Sequence, residues 1–192
     1  MGRLKEFVVE EAVEKACDLF WARGYEATSL NELTEGMHIQ RASLYSTFGS
    51  KAELFQQALQ QYQRKSLKRV EELLATGSDP LDSLRQLLLS AIPEPGTLRQ
   101  GCFCVNVAIE LGPHDPQIAQ LLEAHFERVH AILGRTIAAG QAQGQLTMDL
   151  SPREAGAYLL TCLSGLHVAA KTTTDESQLR RHAERMLRTL QV

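Results

Sequence analysis

The chain lacks most of what would mark a secreted, membrane-bound or metal-dependent protein. Four cysteines in 192 residues, Cys17, Cys102, Cys104 and Cys162, are too few and too scattered for a disulfide framework. No apolar run approaches the roughly 20 residues that span a bilayer. The opening Met-Gly-Arg-Leu-Lys-Glu leads into an acidic amphipathic segment and not into a signal peptide. These features predict a cytoplasmic protein with no membrane partner. The sequence shows no alternating β-strand pattern, internal repeat or low-complexity tract. It also has no Gly-rich phosphate loop, no supported Ser/His/Asp order and no paired cysteine pairs at metal-site spacing, which speaks against an enzyme, a cofactor or a metal centre. Positive charge is short as well. The net charge is −3, and residues 1–55 carry only Arg3, Lys5, Lys15, Arg23, Arg41 and Lys51 against nine Asp and Glu. A bulk electrostatic footprint for nucleic acid is therefore missing.

What the chain has is helical periodicity. Phe7, Val8, Ala12, Ala16, Leu19 and Phe20 recur at three- and four-residue steps and predict a helix over 4–23, with Gly24 as its C-cap. The pattern leaves Trp21 between core and surface, and Cys17 reads as an inert packing residue. From Lys51 to about Ala75 the apolar spacing is unbroken, a helix long enough to join two parts of the molecule. Further helices are expected over 80–92, 99–111, 117–142, 151–170 and from Asp175 to the end. Ser151-Pro152-Arg153-Glu154 makes a capping box with Pro at the first helical position. His125, His130 and His182 have charged neighbours and read as surface or groove residues. Arg64, Lys65, Lys68 and Arg69 read as a solvated face of the long helix.

Between these helices lies a stretch of a different kind, from Thr28 to Phe55. Thr28 or Ser29 can cap a short helix with Leu30 and Leu33 on one face. A turn then leads to a second short helix over 40–47. That helix would expose Gln40, Arg41, Ser43 and Ser46 and turn Leu44 and Phe48 inward. Two short helices around a tight turn form a helix-turn-helix, which places its second helix in the major groove of DNA.

Gly24-Tyr25-Glu26-Ala27-Thr28-Ser29-Leu30, Ala42-Ser43-Leu44-Tyr45 and Phe48-Gly49-Ser50-Lys51-Ala52-Glu53-Leu54-Phe55 resemble the DNA-binding domain of TetR/AcrR-type transcriptional repressors. The resemblance covers residues 8–58. It implies an all-α protein, with an N-terminal three-helix helix-turn-helix domain (1–50) joined by a long helix to a helical effector-binding and dimerisation domain (51–192). It further implies that Thr28, Tyr45 and Lys51 hold backbone phosphates of double-stranded operator DNA, and that Gln40, Arg41, Ala42, Ser43 and Ser46 face the groove. Arg and Gln suit guanine and adenine edges respectively. A homodimer through the last two helices is implied too. One departure is His38, which stands where the family usually has Gly in the turn. The position often requires positive φ, so a slightly reshaped turn is expected.

The remaining question is what such a regulator senses. A small organic effector in a pocket walled by the fourth to eighth helices is the default for this architecture, with Tyr62, Cys102, Phe103, Val107, Phe126, Tyr158 and His167 as lining. Cys102 and Cys104 fall on the helix expected over 99–111, where two residues of separation would point them about 200° apart. Arg99, one turn before Cys102, could then assist that thiol. Both cysteines read as small buried hydrophobes, or as the site at which an electrophile or oxidant acts. A metal held by Cys102, Cys104, His114, Asp115, Cys162 and His167 has no supporting spacing. A helical regulatory adaptor without DNA binding is the alternative that the acidic N-terminal segment leaves open.

Overall fold

The computed structural model describes residues 8–192, and the predicted first turn over 4–7, with Phe7, lies outside them. Among the described residues there are nine α-helices: α1 (Val9–Arg23), α2 (Leu30–Met37), α3 (Arg41–Phe48), α4 (Lys51–Thr76), α5 (Pro80–Leu89), α6 (Phe103–Glu110), α7 (Pro116–Ala142), α8 (Pro152–Thr172) and α9 (Glu176–Arg188). No strand forms among them, only a single antiparallel bridge between Leu146 and Gln191. Val8 is exposed and Val13 takes a place in the α1 stripe beside Ala12, Ala16, Cys17 and Phe20.

Local chemistry sets most helix ends. Ser29 caps α2 in a reciprocal capping box with Glu32, and Ser151 does the same for α8 with Glu154. Asp79 and Asp115 cap α5 and α7, each followed by Pro at the first turn.

Two apolar cores result. The first unites α1, α2, α3 and the first half of α4 with α6 and the start of α7, through Phe20, Leu33, Leu44, Phe55, Phe103, Val107 and Ile118. The second joins the remainder of α4, α5, α7, α8 and α9 through residues such as Leu84, Leu87, Leu133, Leu159 and Leu187. Helix α6 thus packs with the N-terminal helices although it lies in the later part of the chain.

The helix expected over 99–111 begins four residues later than its periodicity suggests. Gly101 adopts φ 66°, and a Cβ there would stand 2.9 Å from the His167 carbonyl oxygen. The chain therefore passes α8 in a conformation and at a distance that suit Gly alone. Arg99 turns away from Cys102, correcting the expected assistance. Its guanidinium donates to the carbonyls of Ala170 (3.3 Å) and Thr173 at the end of α8, and pairs with Glu176 at 3.8 Å.

Candidate nucleic-acid interface and effector cavity

The α2–α3 unit is built so that the outer face of α3 is free. Leu44 and Phe48 are buried under it, while Gln40, Arg41, Ala42, Tyr45 and Ser46 are exposed and Ser43 is half-buried. Gln40 is the N-cap residue, with α3 starting at Arg41. The Arg41 guanidinium lies 5.9 Å from the centre of the Tyr45 ring, and Lys51 Nζ lies 4.3 Å over the Tyr25 ring at the start of α4. Cation–π contacts of this kind hold long cationic side chains in place. Thr28 departs from its expected role. It is wholly buried and its hydroxyl donates to the Gly24 carbonyl at 2.6 Å, so it closes the α1–α2 turn and its side chain does not reach the surface. His38 adopts φ 56° and ψ 43°, the left-handed conformation itself, and its N–H bonds back to Glu35 and Thr34. The turn takes the geometry that glycine would supply, and the expected reshaping is not seen.

Between α1, α4, α6, α7 and α8 is a cavity of about 430 Å³, within the range of small-molecule sites. Tyr62, Cys102, Phe126 and His167 border it. Phe103 and Val107 do not: at 1% and 0% exposed they are packed into the first core, on the opposite side of α6. Tyr158 is also remote, its hydroxyl paired with Thr189 at 2.8 Å. The wall includes the N-terminal domain as well, because Cys17, Asp18 and Trp21 of α1 border the same space.

The two cysteines on α6 are arranged differently from a pair on one helix. Cys102 is the N-cap residue, with extended φ −93° and ψ 129°, so its sulfur is not forced 200° away from that of Cys104. The Tyr62 hydroxyl donates to Cys102 Sγ at 3.6 Å while accepting the Phe103 N–H at 3.2 Å. The Cys104 thiol is the strongest influence holding the Cys102 thiol below its usual range. The amides of Val105 and Cys104 and the Tyr62 hydroxyl add to it against the cost of burial. The same pairing, with burial, pushes Cys104 up, so Cys102 is the thiol that ionises first. Burial and the neighbouring Asp18 carboxylate raise the Cys17 thiol to about 12, consistent with inert packing.

Residues 77–186 match the model for "Tetracyclin repressor-like, C-terminal domain", and residues 12–58 match that for "Bacterial regulatory proteins, tetR family". The chain belongs to the tetR family of bacterial transcriptional regulators. Members of this family are DNA-binding regulators and not enzymes. The chain is 32% identical over 188 residues to the uncharacterised HTH-type transcriptional regulator YezE of Bacillus subtilis, covering 96% of each protein. It is 28% identical to the HTH-type transcriptional repressor ComR of Escherichia coli, covering 97% of this chain and 90% of ComR. Among solved structures it resembles a cysteine variant of the TetR family transcriptional regulator CifR in complex with a 26-base-pair double-strand operator DNA. There the TM-score is 0.83 and the identity 30%, covering 98% of this chain and all of CifR.

Within this tetR-family fold, two features escape a reading of the sequence. His125, expected at the surface, is only 5% exposed. The signal was present, because 118, 122, 125, 129 and 133 form one stripe at steps of three and four. Glu110 is the other. A carboxylate in the last turn of a helix opposes the macrodipole and so calls for a partner. Its partners are the N–H groups of Tyr25 (3.1 Å) and Glu26 (2.9 Å) in the α1–α2 turn. Helix α6 therefore has the Cys102 thiol at its start and a grip on the helix-turn-helix domain at its end. Among the described residues no group of three or more His, Cys, Asp and Glu side chains gathers as a metal site.

Proposed function

We propose that this protein is a homodimeric repressor that binds a near-palindromic operator and is released when a small or reactive compound enters the cavity beside Cys102. The observation that carries the DNA part is the outer face of α3, where Arg41, Ala42, Ser46 and Tyr45 are exposed over a fully buried Leu44. Arg41, with Gln40, Ser43 and Ser46, reads base edges. Tyr45 and Lys51 contact phosphates, helped by the N-termini of α3 and α4. Two such helices related by a two-fold axis enter successive major grooves about one turn apart. The dimer forms through α8 and α9. In its support, Thr161, Gly165 and Val168 leave one face of α8 open, and a Cβ on Gly165 would meet nothing within 4 Å. The protein acts in the cytoplasm, where its thiols remain reduced.

The effector reading rests on the position of Cys102 between cavity and α6. The Cys102 thiolate adds to an activated carbon–carbon double bond, forming a carbon–sulfur bond at the start of α6 as the π bond breaks and the other carbon takes up the thiol proton. The added bulk displaces that helix, and Glu110 carries the displacement to the α1–α2 turn. Release follows only to the extent that the modified protein favours the conformation with misplaced recognition helices.

The test is fluorescence anisotropy with DNA from upstream of the protein's own gene, at two salt concentrations. Expected are tight binding with a modest salt dependence, loss of binding in Arg41→Ala and Tyr45→Ala, and release by N-ethylmaleimide in the wild type but not in Cys102→Ser. Failure of any operator fragment to bind at low salt would overturn the repressor reading in favour of a helical adaptor. Release that persists in Cys102→Ser would remove the thiol from the mechanism.

A further inference from the structure

Two side chains that border the cavity each carry a buried polar atom without a partner, Trp21 Nε1 and His125 Nδ1. Buried polar groups in native proteins are paired with protein, water or ligand almost without exception, because an unpaired one loses its solvation with nothing in return. Both side chains border the same space, one from α1 and one from α7. An indole N–H only donates, so its partner must offer a lone pair, whereas a neutral imidazole Nδ1 can either donate or accept.

The charge of the surroundings narrows the ligand further. Glu14, Asp18, Lys65 and Arg69 also border the cavity, but all four are exposed, two of each sign, with Lys65 paired to Glu14 at 2.5 Å. They form its mouth. Inward from them are Tyr62, Val70, Leu87, Val129 and Leu163, with no cation to compensate a buried anion. Both imidazoles on the wall, His125 and His167, are held neutral by burial, their pKa values lowered to about 4.

We propose that Trp21 and His125 form a recognition subsite for an uncharged carbonyl compound, whose oxygen accepts the Trp21 indole N–H while its hydrocarbon part fills the apolar inner wall. The proposal rests on reading this cavity as the effector site, but not on Cys102. Because Trp21 belongs to α1, a ligand held there touches the DNA-binding domain directly and does not act through the later helices alone.

Trp21 is the only tryptophan in the chain, so the full-length protein labelled with nitrogen-15 gives one indole N–H resonance. Acetophenone, its carbonyl-free isostere α-methylstyrene, and benzoate are titrated in turn. Acetophenone is expected to move that resonance saturably downfield, with at least tenfold higher affinity than α-methylstyrene. Benzoate should bind at least tenfold more weakly than acetophenone. His125→Phe should weaken acetophenone severalfold, and Cys102→Ser should leave it unchanged. Equal binding of α-methylstyrene would mean a merely apolar cavity and would overturn the proposal. Tighter binding of benzoate would place the recognition at Arg69 and overturn it as well, as would an indole resonance that none of the three compounds moves. Operator binding is measured separately on the same protein, so failure of the subsite leaves the repressor reading standing, and the reverse also holds.

Discussion

At single positions, backbone conformation and protonation decide what substitutions do. His38 is the only non-glycine residue with positive φ among the described residues. Left-handed backbone costs a side chain about 1–2 kcal/mol, most for β-branched residues. His38→Gly should therefore leave stability within about 1 kcal/mol, since relief of strain offsets the greater freedom of glycine in the unfolded chain. His38→Val should lower it by about 1–2 kcal/mol, and urea midpoints would separate the two. If both variants cost the same, steric strain at this turn is not the controlling factor. A second residue-scale prediction concerns Cys102. Its thiolate is favoured by the Cys104 thiol, the first amides of α6 and the Tyr62 hydroxyl. Its alkylation by iodoacetamide should therefore accelerate with pH around a midpoint well below the ordinary 9.0, because the thiolate is the nucleophile. Tyr62→Phe should move that midpoint up. Identical pH profiles for wild type and variant, read by mass spectrometry, would exclude the tyrosine from this role.

At the scale of the element, α6 touches both the cavity and the α1–α2 turn. Its first residue follows Cys102, and its last is Glu110, which holds the turn after α1. A run of edge-to-face rings parallels it. Trp21 packs on Tyr62 at 5.1 Å, Tyr62 on Phe103 at 5.5 Å, Phe103 on Phe55 at 6.0 Å and Phe55 on Tyr25 at 4.8 Å. Such packed rings resist independent movement, each pair contributing about 0.5–1.5 kcal/mol beyond area burial. Glu110→Ala strips two amides of their acceptor and should cost about 1–3 kcal/mol of stability. Beyond that loss, alkylation of Cys102 should change operator affinity less in Glu110→Ala than in the wild type, because the grip that transmits it is gone. Anisotropy on labelled and unlabelled protein checks this, and an undiminished response would assign the coupling to the aromatic run instead.

For the whole molecule, the relevant quantity is how many protons the folded chain refuses. His125 and His167 are buried neutral with pKa values near 4, through desolvation and then the charges of Arg128 and Arg69. In the unfolded chain they titrate near the ordinary 6.5. Between these values the unfolded state binds more protons, so stability is complete above about pH 6.5 and falls as the pH drops toward 4. The slope for His125 is at most about 1.4 kcal/mol per pH unit. Melting temperatures should decline steadily from pH 6.5 to 5, and His125→Phe should flatten the decline. A variant with an unchanged slope would mean that acidic groups elsewhere carry it.

The helices, their caps and the helix-turn-helix were legible in the sequence because they depend on neighbours three or four residues apart. Ser29 as a cap, Ser151 with Glu154, and Leu44 with Phe48 are local relations, and the tetR-family resemblance rested on short runs of the same kind between Gly24 and Phe55. The start of α6 was not legible. Its apolar periodicity extends through Gly101, and only the close passage of the α8 backbone makes the left-handed glycine, and so the N-cap position of Cys102, unavoidable. The cavity has the same origin. Tyr62 and Cys102 are 40 residues apart, and Trp21 and His125 come from helices far apart in the chain, α1 and α7. Sequence alone thus determined the class of the protein and the exposed face of α3, since both follow from short-range periodicity. Tertiary structure alone decided how Cys102 and Cys104 are placed, which polar atoms are left without partners and how α6 grips the DNA-binding domain. Each of these is a contact between residues that no local rule brings together.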